Sequence, residues 1–378
     1  MKKRKLKKKP IIILVLSILV LGIIFILIGN INNNKGDDKK VETKTDDKKE
    51  EIKVEEKPEK RISLAMVGDV LVHETVYLDA DLGNGNYDFS HMFTNIEPMI
   101  KDYDLKYMNQ ESTIGGKNLG ISAYPSFNSP DEIGDNLVDI GFNMVSLANN
   151  HSLDRGANAL LYSNNYWKSK NVITAGAYSS QEERDTVTIY EKNGIKYAFL
   201  SYTTSSNAAI PNNYYINYYS DALAKQDIEK AADADVIIVA MHWGTEYTNS
   251  ETQSQVRIAE YLSSLGVDLI IGTHPHVVEP ITYIGDTLVI YSLGNFISNQ
   301  LVLGVNQGTG MIVFVDIVLD EENNVKFENL DYELLLSYSD NSTNFKVIPY
   351  SMLTNNELLN YEDYKANYES VVERYMEI

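Results

Sequence analysis

Residues 269–276 read LIIGTHPH. A short aliphatic run closed by Gly-Thr is the pattern of a buried strand running into a turn. His-x-His at that turn puts the His274 and His276 imidazoles on one side of the chain. Two imidazoles so placed are the beginning of a metal site, whereas a buried histidine satisfied by its neighbours is the plainer explanation of either one alone. What stands at the other strand ends decides between these, and with them the fold.

The same arrangement recurs along the chain. Ile62–Val67 runs into Gly68-Asp69, with His73 four residues beyond the aspartate. Leu105–Asn109 leads through Gln110 to Glu111, and Met144–Leu147 leads to Asn149-Asn150-His151 with Asp154 close behind. Val236–Met241 ends in His242-Trp243-Gly244 and continues to Glu246, while Leu288–Tyr291 enters Ser292-Leu293-Gly294-Asn295-Phe296. Further strands are predicted over Tyr197–Ser201 and Met311–Val318, and helices over Asp131–Ile140, Ala157–Lys168, Asp221–Ala232 and Thr252–Leu265. A hairpin is expected from Val187–Tyr190 through Lys192-Asn193-Gly194 into Ile195–Ser201. Strand–helix alternation of this kind predicts an α/β fold, whose ligand sites lie at the carboxyl ends of the strands.

Taken singly, most of these motifs have a bland explanation. Gly-Asp closes many turns, Asn-Asn-His suits a turn or a helix cap, and His-Trp-Gly fits a buried core. Their distribution is the stronger signal. Of six histidines, 73, 151, 242, 274 and 276 fall at strand exits and only His91 reads as a loop residue. Imidazole with carboxylate and amide oxygen is the donor mixture of a Zn, Mn or Fe site, and a shared carboxylate among such groups makes a two-metal centre. Tyr214, Tyr215, Tyr218 and Tyr219 read instead as amphipathic surface.

Composition narrows the chemistry. The 378 residues include 33 Lys+Arg and 53 Asp+Glu, for a formal net charge of −20, and no cysteine. Thiolate metal sites, disulfides and a cysteine nucleophile are excluded, and so acidic a chain is a poor partner for nucleic acid. The charge is unevenly spread. Residues 1–9 carry seven positive charges, 31–60 hold nine basic and ten acidic residues, and 61–378 hold 17 basic against 43 acidic, a net −26.

Residues 11–29, IIILVLSILVLGIIFILIG, contain no charge. As a helix they measure about 28 Å, close to the hydrocarbon thickness of a bilayer. The run exceeds an ordinary signal-peptide core and its flank, GNINNNK, lacks a small-residue cleavage site. An uncleaved signal-anchor is therefore expected, with residues 1–10 as a cytoplasmic basic stub by the positive-inside rule and the remainder outside a single-pass cell-membrane protein. Residues 30–60 have few large apolar groups and blocks of alternating charge, the composition of a flexible linker.

Read together, Gly68-Asp69, Asn109-x-Glu111, Asn149-Asn150-His151-x-x-Asp154, His242-Trp243-Gly244-x-Glu246, Gly272-x-His274-Pro275-His276 and Ser292-Leu293-Gly294-Asn295-Phe296 resemble the CapA (also PgsA) family of bacterial poly-γ-glutamate capsule synthesis proteins. The match runs in order from about residue 62 to 300. That family is in turn similar to the calcineurin-like metallophosphoesterases. The resemblance implies a four-layer sandwich of two mixed β-sheets flanked by helices over residues 61–320, preceded by one transmembrane helix. Residues 321–378 would complete the domain, with a strand over 325–335 in the second sheet and a helix over 356–376.

It also implies roles. Asp69 and His276 would hold one divalent cation (Mn, Zn or Fe), and Asn150, His242 and His274 a second, with Glu111 bridging. His151, oriented by Asp154, would protonate a leaving oxygen. Two departures stand out. The phosphoesterases carry Asp-x-His where His73 lies four residues from Asp69, and their bridging Asp is here the longer Glu111. The implied partners are membrane-embedded polymer synthase subunits and an anionic envelope polymer. A domain at −26 repels such a polymer over its general surface, so contact would be local. Two other readings stay open: a metal-dependent envelope phosphodiesterase, phosphatase or amidase, and a non-catalytic scaffold of a synthase.

Overall fold

The computed structural model describes residues 60–376. The expected stub at 1–10, span at 11–29 and nearly all of the 30–60 linker lie outside the described residues. Among the described residues no helix is long and apolar enough to cross a membrane.

From β1 (Lys60–Val70) the chain makes a small hairpin, β2 (Asp81–Gly83) with β3 (Asn86–Tyr87), and then β4 (Leu105–Gln110), β5 (Met144–Ser146) and β6 (Ile173–Ala175). It next builds a second sheet from β7 (Ile189–Lys192), β8 (Ile195–Thr203), β9 (Val236–His242), β10 (Leu269–Thr273), β11 (Ile281–Ile284) and β12 (Thr287–Ile290). Finally it returns with β13 (Asn295–Ile297), β14 (Thr309–Leu319), β15 (Val325–Asp340) and β16 (Thr343–Pro349). The longer helices are α1 (Asp131–Asp139), α2 (Gly156–Ser169), α3 (Asp221–Lys230), α4 (Gln253–Ser264) and α5 (Tyr361–Val372).

Both sheets are mixed. The first has the order β16-β15-β14-β1-β4-β5-β6, with β13 also paired to β1, and the second the order β11-β12-β10-β9-β8-β7. Parallel pairing runs through β1, β4, β5 and β6 and through β8, β9, β10 and β12. Antiparallel strands finish every edge but that at β6, including the β7–β8 hairpin, where Asn193 and Gly194 both take positive φ as a two-residue turn requires.

The alternation of side chains along each strand sorts the core into layers. Ile62, Leu64 and Met66 of β1 pack with Val236, Ile238 and Ala240 of β9 between the sheets. Ala65 and Val67 turn outward onto Ile133 and Leu137 of α1 and Leu160 and Trp167 of α2. Ile237 and Val239 turn outward onto Ile228 of α3 and Ile258 and Leu262 of α4. The order helix, sheet, sheet, helix is the four-layer arrangement expected.

Three details differ from the expectation. β1 continues past Val67 because β13 lies alongside, pairing Asp69 with Asn295 and Val70 with Ile297. That closeness explains the glycines of both motifs: a Cβ on Gly68 would stand 1.8 Å from the Gly294 carbonyl oxygen. The strand predicted over 325–335 extends to 340 and joins the sheet of β1, through β14, rather than the second sheet. The helix predicted over 356–376 is limited to Tyr361–Val372.

Candidate metal centre

The parallel strands of both sheets end at one edge of the sandwich, and the motif residues meet there. Asp69 lies in β1, Glu111 just past β4, Asn150 and His151 past β5, His242 at the end of β9, and His274 and His276 past β10. All of them are buried. Asp69, Glu111 and His276 present ligand atoms within 4.8 Å of one another, and so do Glu111, His242 and His274. Glu111 belongs to both groups. Its Oε1 is 3.6 Å from His242 Nε2 and 3.7 Å from His276 Nε2. Asn150 Oδ1 lies 2.8 Å from the same His242 Nε2, joining it to the second group.

Neighbouring side chains fix how these donors point. Asn109 donates to Asp69 Oδ1 at 2.7 Å, and the His274 backbone N–H donates to Asp69 Oδ2 at 3.2 Å. Asn295 Oδ1 is 3.0 Å from His276 Nδ1, and Thr273 Oγ1 is 3.0 Å from His242 Nδ1. In both imidazoles the second nitrogen, Nε2, is thereby turned toward Glu111, the usual way in which an outer partner sets the orientation of a ligand ring. His274 and His276 have φ of 99° and 59°, a left-handed backbone that costs about 1 kcal/mol or more per residue and persists where function requires it. Asn109 and Asn295 sit in the sequence motifs, but their orienting roles become visible only in three dimensions. Thr273 carried no sequence signal beyond standing next to His274.

Four titratable groups of the pocket are strongly shifted. Burial, reinforced by Asp69, holds the Glu111 carboxyl well above the usual range. For His276 burial works against the charged ring, but Glu111 and Asp69 overcome it and push the imidazole up to about 10. Burial, with His274 and His276 nearby, drives His242 well below the ordinary histidine value, and burial and His276 bring His274 down to about 4. These last two rings are neutral near pH 7, as metal ligands must be.

Both carboxylate oxygens of Glu111 and Nδ1 of His274 are buried without a hydrogen-bond partner. Such orphans are costly unless something else satisfies them. A nitrogen and oxygen donor set around a shared carboxylate fits a divalent cation of the Mn, Fe or Zn class.

His151 stands beside this group, next in sequence to Asn150. Its Nδ1 is 2.7 Å from Asp154 Oδ2, and the ring packs edge-on against Phe127 at 4.8 Å. Asp154 Oδ2 also accepts the Phe127 N–H at 2.8 Å, so the carboxylate is held from two sides. His73 belongs to neither ligand group. Its Nδ1 receives the Asn299 N–H at 3.1 Å, and burial together with His276 lowers it to about 4. His91 sits apart, 3.2 Å from Asp79. Among the expected surface tyrosines, Tyr218 is exposed and Tyr219 packs on Tyr202.

The family described as "Bacterial capsule synthesis protein PGA_cap" matches residues 63–300, a stretch that contains every residue of the two ligand groups. The chain belongs to this family. One PGA_cap relative, the capsule biosynthesis protein CapA of Bacillus anthracis, is 28% identical over 262 residues, covering 64% of this chain and 61% of that protein. Another, the PGA biosynthesis protein CapA of Bacillus subtilis (strain 168), is 33% identical over 169 residues, covering 43% of this chain and 44% of its own length. The chain thus spans between two-fifths and two-thirds of these curated relatives. Among solved structures, the NAD nucleotidase of Haemophilus influenzae aligns with a TM-score of 0.46 at 14% identity, over 80% of this chain and 62% of that one.

Proposed function

We propose that this PGA_cap protein is a membrane-anchored, extracytoplasmic component of poly-γ-glutamate or related envelope-polymer biosynthesis whose domain works as a divalent-metal-dependent hydrolase of the metallophosphatase type. Family membership and the names of the two CapA relatives support the biological setting. The uncharged stretch at 11–29 supports the anchor. One observation carries the chemistry: Glu111 is shared by two ligand groups and neither of its buried oxygens has a hydrogen-bond partner.

In this reading Asp69 and His276 would hold one cation and His242, His274 and Asn150 the other, with Glu111 available to both groups. Bound there, two cations would supply Lewis acidity and lower the pKa of an attacking water. The chain's own residues do the rest. Asn109, Thr273 and Asn295 keep Asp69, His242 and His276 aimed inward. Asp154 holds His151 Nδ1, which leaves Nε2 to carry a proton to the departing oxygen. An anionic polymer, together with membrane-embedded synthase subunits, is the partner class this setting calls for, and the polymer would be met locally at this cleft because the domain's surface is strongly acidic.

The test is metal content and turnover together. Purified full chain reconstituted with Mn, Zn or Fe should retain metal after gel filtration and hydrolyse an aryl phosphate ester. Absence of retained metal sinks the whole reading. Retained metal without turnover, accompanied by loss of polymer production when His242 is replaced, would keep the metal and assign a scaffold role instead.

A further inference from the structure

The loop after β9, residues 244–251, is mostly exposed and meets the metal centre through Tyr247. Tyr247 in this loop has φ of 67°, and its N–H donates to the Pro275 carbonyl at 2.7 Å. Its ring lies over His276, with centroids 6.0 Å apart and planes at 29°. A left-handed tyrosine on an exposed loop stays in place only if its surroundings over-determine it.

The far half of the loop is tied down by the other end of the chain. Just past α5, one nitrogen of the Arg374 guanidinium donates to Ser250 Oγ at 3.1 Å and the other to the Asn249 carbonyl at 2.9 Å. The same side chain is 3.5 Å from Glu251, whose other carboxylate oxygen accepts from the Tyr375 hydroxyl at 2.5 Å. Asn249 in turn donates to the Val278 carbonyl at 2.9 Å, two residues beyond His276. The clamp has a firm base, because Tyr368 and Val372 of α5 are buried in the core between the sheets. The planar fork of arginine suits a forked grip of this kind better than a lysine ammonium does.

We infer that Arg374 and Tyr375 are positioning residues of the metal centre: they hold the 244–251 loop so that Tyr247 stays over His276. This gives the segment after residue 320, which carries no chemistry of its own, a part in the site. The inference rests on the reading of this cleft as the functional site, yet its test needs neither metal nor turnover.

Backbone amide exchange on the full chain is the measurement. In the double variant Arg374→Ala, Tyr375→Phe, peptides spanning 244–251 should exchange about tenfold faster or more, while those from β9 and β10 keep wild-type rates. Arg374→Lys should fall between, since it keeps the charge and loses the fork. Unchanged exchange in 244–251 overturns the inference. So does an equal rise in β9 and β10, which would mark Arg374 as a general stabiliser of the fold.

Discussion

Glu111 Oε1 stands 3.6 Å from His242 Nε2, in a pocket where neither oxygen of the carboxylate has a hydrogen-bond partner. Function and stability pull in opposite directions at such a residue. Glu111→Gln keeps the shape and removes the shared charge, so affinity for Mn or Zn should weaken by roughly 100-fold or more, beyond what loss of an outer partner costs. The metal-free variant should also be more stable than wild type at pH 7, by about 1–3 kcal/mol, because a costly buried carboxyl has gone. Calorimetric titration and urea unfolding read the two effects. Unaltered metal affinity would remove Glu111 from the centre.

Metal binding should strengthen as pH rises. In the protein alone the Glu111 and Asp69 carboxylates raise His276 to about 10, so this ring carries a proton at neutral pH that a cation must displace. His242 and His274, already neutral, add nothing to this dependence above about pH 6. Titrations in buffers of different ionisation enthalpy should show protons released on binding, with affinity climbing from pH 6 to pH 9. A pH-independent affinity with no proton release would contradict the arrangement.

His151 and Asp154 should separate turnover from metal content. His151→Ala should cut hydrolysis of an aryl phosphate by about 100-fold or more, the usual contribution of a positioned acid or base, while bound metal stays at the wild-type level. Asp154→Asn should cost less, since the ring remains packed on Phe127 and loses only its carboxylate partner. Equal loss of metal and turnover in His151→Ala would make this residue a ligand rather than a proton donor.

How much of this was legible in the sequence follows from length scales. Long aliphatic strands such as β1 and β9, and helices with caps such as Thr252 before α4, announce themselves locally. The three- and four-residue strands β6, β11 and β13 do not, because their partners lie far away in sequence and pairing alone defines them. The ligand types were visible because histidine is scarce in this chain and clusters at strand exits. Asn295 orienting His276 and Tyr247 covering it were not, since a hydrogen bond and a ring contact leave no period or motif behind.

Close backbone approach around the centre gives a steric prediction. A Cβ at residue 272 would stand 1.9 Å from the Tyr291 carbonyl oxygen, much as one at residue 68 would meet Gly294. Backbone cannot yield as a flexible side chain can. Gly272→Ala should therefore destabilise by about 3 kcal/mol and displace His274 and His276 with the strand end. A urea midpoint indistinguishable from wild type would show that the ends of β10 and β12 have room to part.

A last prediction concerns Glu279, which is buried at the foot of the site loop. Gln255 donates to its Oε2 at 2.6 Å, while Oε1 has no partner. Burial is the main cause that pushes its carboxyl from 4.5 up to about 8; Glu251 adds to this, and Gln255 and Arg374 oppose it. The folded protein therefore holds a proton between pH 4.5 and 8 that the unfolded chain releases, so this residue's contribution to stability falls as pH rises across that window and levels off above it. Glu279→Gln keeps an acceptor for Gln255 and does not titrate. Its unfolding free energy from urea titration should match wild type near pH 4.5 and exceed it increasingly toward pH 8, by a few kcal/mol at most. A gap between the two proteins that stays constant from pH 5 to pH 8 would mean that Glu279 ionises at its ordinary value, with Arg374 neutralising it under the loop.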